Sequence, residues 1–165
     1  MSIILGSGMS SRLFREVRER RGLAYSIYTS SSHYLDTGEF SAYAGVPVKK
    51  ATEAIKVILN EFYKLANPTS PSATLGAREL DKAKAFLKGH TALSMESTKA
   101  ISYFFGHEEV KGGKLRTLDE VFEKVDNVKI DEVISVAKQI FEPTKINLAV
   151  IGPYQSESEF EKVIG

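Results

Sequence analysis

Arg18 and Tyr25 are the side chains of this sequence best suited to acyl chemistry. A guanidinium offers five N–H donors in one plane and a phenol offers an O–H. Either can hold a carbonyl oxygen, or the negative charge that grows on it under nucleophilic attack. Tyr25 follows Arg18 by seven residues with Gly22 between them, so the chain can reverse and bring both groups to one point. Each also has a plainer reading: Arg18 as a surface helix residue beside a glutamate, and Tyr25 as a half-buried strand aromatic.

The other reactive types are sparse. Cysteine is absent, which excludes a disulfide framework, thiol catalysis and thiolate zinc ligands. His33, His90 and His107 stand far apart in sequence, and His107-Glu108-Glu109 lacks a second histidine on the same helical face, so no metal site is expected within this chain. Gly6-Ser7-Gly8 before a helix has the look of a phosphate cradle, yet no Lys-Ser/Thr follows, and a turn is the plainer reading. The arginines at 12, 15, 18, 20 and 21 are diluted by Glu16 and Glu19, and no stacking aromatics accompany them, which argues against nucleic acid. Twenty-two basic residues against 21 acidic ones leave a net charge of +1, too little for a global attraction to polyanions or membranes. At 165 residues and 42% hydrophobic content the chain fits one domain with a real core, and its opening apolar run, Ile3 to Leu5, is too short for a signal peptide or membrane span. A cytoplasmic location is expected.

The elements that must present Arg18 and Tyr25 follow from patterning. Ser10 and Ser11 cap a helix over 12–21 that ends at Gly22, a left-handed cap position. At about 100° per residue Leu13, Val17 and Phe14 form an apolar stripe, and Arg18 lies about 40° beyond it, bordering the buried face. Arg12, Arg15, Glu16 and Glu19 fall on the far side and are expected in solvent. Residues 24–35 and 39–46 suit strands around the turn Asp36-Thr37-Gly38 and predict an antiparallel hairpin. A long helix follows Pro47, carrying Ala51, Ala54, Ile55, Ile58, Leu59, Phe62 and Leu65 on one side. Residues 67–76, rich in Pro, Ser, Thr and Gly, form a surface connection. Further helices are expected over 78–94, 97–110 (with Phe104 and Phe105 in the core), 117–126 and 130–142, then a buried strand from Ile146 to Ile151 and a short helix within 156–164. About six helices to three strands is lopsided, so additional strands are expected upstream of Met1.

The runs Ser10-Ser11-Arg12-Leu13-Phe14, Val17-Arg18-Glu19 and Arg21-Gly22-Leu23-Ala24-Tyr25-Ser26 resemble the hallmark of the C-terminal halves of pitrilysin/insulinase peptidases, the group of mitochondrial processing peptidase and its bacterial relatives. The likeness extends through Asp36 to Phe40, the helix at 48–65, Glu79 to Lys84 and Leu148 to Pro153, covering nearly the whole chain. It implies an α+β fold, an antiparallel sheet with helices on one face, and residues 1–165 as a single partial domain whose first strands are missing. It implies a bilobed zinc endopeptidase whose other half or subunit holds zinc through H-x-x-E-H, while this half closes the chamber. Arg18 and Tyr25 match the substrate-contacting residues of that half. No cofactor or metal is implied in this chain, which is expected to be inactive alone. Its implied partners are the zinc-bearing half, a peptide or unfolded protein substrate, and a second copy through an exposed sheet edge. Superfamily members also serve as non-catalytic scaffolds, such as core proteins of a respiratory complex, but those need no Arg/Tyr pair.

Overall fold

A computed structural model of the chain describes residues 1–70, 73–110 and 115–164. It opens with helix α1 (Ser2–Gly6), whose Ile4 and Leu5 are buried. Gly6 ends this helix against strand β1 (Ser26–His33), so close that an added Cβ would come within 2.5 Å of the Thr29 backbone nitrogen. Two hydrogen bonds staple the contact: Thr29 Oγ1 donates to the Ser2 carbonyl at 2.8 Å, and Ser2 Oγ donates to the Thr29 carbonyl at 3.2 Å. Only a hydrogen fits at position 6, and the atom it faces is backbone that cannot swing away. Gly6→Ala is therefore expected to lower stability by about 1–3 kcal/mol, the usual cost of overpacking. An unchanged midpoint in urea denaturation would show that α1 does not sit this close to β1. The glycine-rich turn thus serves packing.

Strands β1 and β2 (Gly38–Gly45) form the expected antiparallel hairpin, in register from Ser26 opposite Gly45 to His33 opposite Gly38. Side-chain alternation gives it two unlike faces. Outward, Tyr28 stacks on Tyr43 with ring centroids 5.1 Å apart, and the Ser30 and Ser41 hydroxyls meet at 2.8 Å. Inward, Ile27 and Thr29 are buried, and Phe40 meets Phe62 and Phe141 edge-on. Phe62 lies on α2 (Ala51–Ala66), and Phe141 ends α6 (Ile130–Ile140); their rings stack at 4.4 Å. The helices so cover one face of the sheet, an α+β arrangement.

α3 (Ala77–Ser94), α4 (Thr98–Val110), α5 (Leu118–Asn127) and α7 (Ser158–Ile164) complete the helical set close to the expected boundaries. The 67–76 connection is not wholly superficial, since Ala73 and Leu75 are buried, while positions 71 and 72 lie outside the described residues.

Two expectations fail. Residues 146–151 form no strand: an apolar run fits a strand only if a neighbour completes its ladder, and the two described strands pair with each other alone. Leu148, Val150 and Ile151 are left exposed. Helix α4 contributes no buried residue; Phe104 is half-buried and Phe105 exposed, and the two rings meet edge to face at 5.3 Å. Its apolar spacing is helical, but no described element packs along it. Among the described residues no helix is long and apolar enough to cross a membrane.

Candidate functional site

The segment bearing Arg18 is a helix over 12–19, of which Phe14–Glu19 is π-helical. Ser11 enters it by donating its hydroxyl to the Gly8 carbonyl at 2.8 Å and caps no helical N–H with that bond. At the far end Arg20 N–H donates to the Arg15 carbonyl, five residues back, and Leu23 N–H to the Val17 carbonyl, six back. This is a helix C-terminus one residue wider than the ordinary Schellman closure, with Gly22 in the left-handed region at φ 57°.

The buried face of this helix is formed by Arg12, Leu13, Glu16 and Val17, so the expectations drawn from an apolar stripe alone are corrected. Arg12 and Glu16, expected in solvent, are only 5% and 9% exposed. Arg18, expected beside the buried face, is exposed. Arg12 donates to both Glu79 carboxylate oxygens, at 2.9 and 2.8 Å, and to the Ala73 carbonyl at 3.0 Å, tying the helix to α3 and the 67–76 connection. Those partners come from distant sequence, beyond the reach of a helical wheel of residues 12–21.

The carbon at the centre of the Arg18 guanidinium lies 4.9 Å from the Phe14 ring centroid and 5.5 Å from that of Tyr25, both within cation–π range. Tyr25 is fixed through its backbone, whose N–H donates to the Gly45 carbonyl at 3.0 Å and extends the hairpin ladder by one residue. Leu23 and Ala24 just before it are buried, yet the Tyr25 side chain is 84% exposed. A cationic fork and a phenol therefore stand beside each other and open to solution. They can donate hydrogen bonds to a group delivered from outside, but they include no base or nucleophile. Sequence reasoning missed Phe14 as a second ring against Arg18; the aromatic four residues before an arginine is the signal that marks it.

Below this pair, the Glu16 carboxylate accepts from Arg20 at one oxygen and from Arg21 at the other, and Arg21 also donates to the Glu16 carbonyl at 2.8 Å. Burial works against the charge on Glu16, but the Arg21 hydrogen bond and the positive charges of Arg20, Arg21 and Lys64 outweigh it and hold the carboxyl below its ordinary value of 4.5. A carboxyl depressed on folding adds stability above that ordinary value and loses it as pH falls through the folded one. Wild type should accordingly exceed Glu16→Gln in stability at neutral pH, with the gap closing on acidification below about pH 4.5. Urea melts of both at two pH values measure this, and a gap that does not depend on pH would refute it.

The three histidines lie apart: His33 ends β1, His90 stacks on Phe86 in α3, and His107 stacks on Tyr103 in α4. Among the described residues no group of three His, Asp or Glu is placed to hold a metal ion.

Residues 1–87 match the family model described as the peptidase M16 inactive domain. An uncharacterized zinc protease of Streptomyces coelicolor is 34% identical over 95% of this chain and 33% of its own length. Another, of Bacillus subtilis, is 35% identical over 91% of this chain and 35% of its own. The chain thus spans about a third of the length of the curated relatives it matches. Among solved structures, a peptidase M16 inactive domain from Pseudomonas fluorescens superposes with a TM-score of 0.71 at 25% identity, over 84% of this chain and 32% of that one.

Proposed function

Because this chain belongs to the peptidase M16 inactive-domain family, we propose that it closes the chamber of a two-lobed zinc endopeptidase and presents Arg18 and Tyr25 to the peptide. The observation that carries this reading is the juxtaposition of a guanidinium and a phenol, 5.5 Å from centre to ring and both open to solvent. Surface arginines paired for stability spend their donors on a carboxylate; Arg18 instead lies against two rings and is exposed, which suits donors kept for an incoming group.

Catalysis in such an arrangement divides between lobes. The zinc of the H-x-x-E-H half, when bound, activates the attacking water. This chain holds the substrate: Arg18 and Tyr25 donate to backbone carbonyls and keep those donors aimed at the oxygen on which charge develops, so the stabilisation is largest at the transition state. An extended peptide suits the geometry, because its carbonyls are free for donors from the facing lobe.

The test is reconstitution. The chain alone, with or without added zinc, should leave a quenched peptide intact. Mixing it with a zinc-bearing half should produce cleavage that a chelator abolishes. Hydrolysis by the zinc half that is no faster when this chain is added would sink the proposal and leave a scaffold role as the better account. Light scattering on the same samples separates pairing with the zinc half from pairing of the chain with itself along a hairpin edge.

A further inference from the structure

We propose that Glu16 is a positioning residue, a latch that holds Arg20 and Arg21 and so fixes the turn carrying Tyr25 back beside Arg18. This rests on the reading of Arg18 and Tyr25 as the substrate-contacting pair.

Glu16 is nine-tenths buried, an expensive place for a carboxylate unless its oxygens are fully used. They are used on the two residues at which the helix gives way to the turn, one oxygen for each arginine. The Arg21 bond to the Glu16 carbonyl closes the loop a third time. The charges facing Glu16 leave it no substitute. From its own helix come Arg12, Arg15, Arg20 and Arg21; α2 contributes Lys64 and Glu61, and α3 contributes Glu79. Glu61 pairs with Lys64 at 2.7 Å, and Glu79 pairs with Arg12. Arg20 and Arg21 are thus left to Glu16 alone, and without its charge two adjacent cations repel across a turn that Gly22 makes pliable.

What remains to hold residues 20–22 is modest: the Arg20 N–H to the Arg15 carbonyl, the Gly22 N–H to the Arg18 carbonyl, the Leu23 N–H to the Val17 carbonyl, and a 3.3 Å contact from Lys50 Nζ to the Gly22 carbonyl, with the buried Leu23 and Ala24 anchoring the chain beyond. Release of Glu16 loosens the helix end that carries Arg18 relative to Tyr25, whose backbone stays on the Gly45 carbonyl. The guanidinium leaves the phenol while the hairpin, zipped by its own ladder, stays closed.

The experiment uses the assembled enzyme with fluorotyrosine at its tyrosines, the Tyr25 signal being assigned by its loss in Tyr25→Phe. Fluorine NMR of Glu16→Gln is expected to move the Tyr25 signal in the same sense as Arg18→Ala, with Tyr28 and Tyr43 unmoved. Acidifying wild type should reproduce that shift, and acidifying Glu16→Gln should not. In the peptide assay Glu16→Gln should lower kcat/KM about tenfold, and adding it to Tyr25→Phe should cost little more, because residues acting through one another are not additive. Should Glu16→Gln fail to fold, Arg21→Gln removes one arm of the latch and carries the same expectations. An unmoved Tyr25 signal, a shift shared by Tyr28 and Tyr43, or losses that simply add would overturn the assignment. Full activity in Arg18→Ala and Tyr25→Phe would instead defeat the functional reading, and the fluorine signals would still decide whether Glu16 holds the turn.

Discussion

Arg18→Ala in the assembled protease is expected to lower kcat by about 10²- to 10³-fold, the usual effect of removing one donor aimed at a developing oxyanion. KM should change less, because a donor whose partner gains charge during reaction contributes more to the transition state than to the bound substrate. Arg18→Lys should recover only part of the loss. An ammonium keeps the charge but lacks the flat face that meets the Phe14 and Tyr25 rings, and it cannot present a planar fork. Tyr25→Phe keeps the ring beside the guanidinium and removes only the hydroxyl, so it isolates the phenol's share. Quenched-peptide kinetics on the three variants provide the measurement. Wild-type turnover in both Arg18→Ala and Tyr25→Phe would return the domain to a scaffolding role.

The largest stability effect is expected at Glu79. Arg12 is 5% exposed and its carboxylate partner 32%, so the two ends of this ion pair differ in their access to water. Glu79→Ala strands a buried guanidinium with the Ala73 carbonyl as its remaining hydrogen-bond acceptor among the described residues, and should cost about 3 kcal/mol, the low end for a broken buried pair because water screens the open side. Arg12→Met should cost less, since it leaves behind a carboxylate that solvent can reach and fills the site with a side chain of similar length. Urea denaturation of both variants reads the difference. Equal losses, or a larger loss in Arg12→Met, would mean that packing and not charge governs the site.

Local chemistry made much of this fold legible. The Asp36-Thr37-Gly38 turn and the alternation around it announced the hairpin, apolar spacing marked the helices, and Gly22 takes the left-handed cap its position suggested. Arg18 and Tyr25 could be picked out by donor chemistry, spacing and family resemblance together. What escaped depends on distant partners. Arg12 is buried by Glu79, 67 residues away, and Glu16 is held by the two arginines after it, with the charge of Lys64 from α2 nearby. The π-helical turn escaped as well, because apolar spacing over six residues hardly separates closures four and five residues apart. Residues 146–151 have the composition of a strand, but pairing belongs to two segments and cannot be read from one. Helix α4 carries a helical pattern yet buries no residue, which periodicity alone could not reveal.

The π-helical turn makes the catalytic reading sensitive to chain length as well as to residue type. Deleting one position within 15–17 would let the backbone relax into a regular α-helix, a locally favourable change, and would bring Phe14 and Arg18 from four residues apart to three. Phe14, Arg18 and Tyr25 would then all survive in the sequence, with the guanidinium set differently against its two rings. Insertions and deletions here are accordingly more damaging than conservative replacements, a constraint on drift that composition alone does not express.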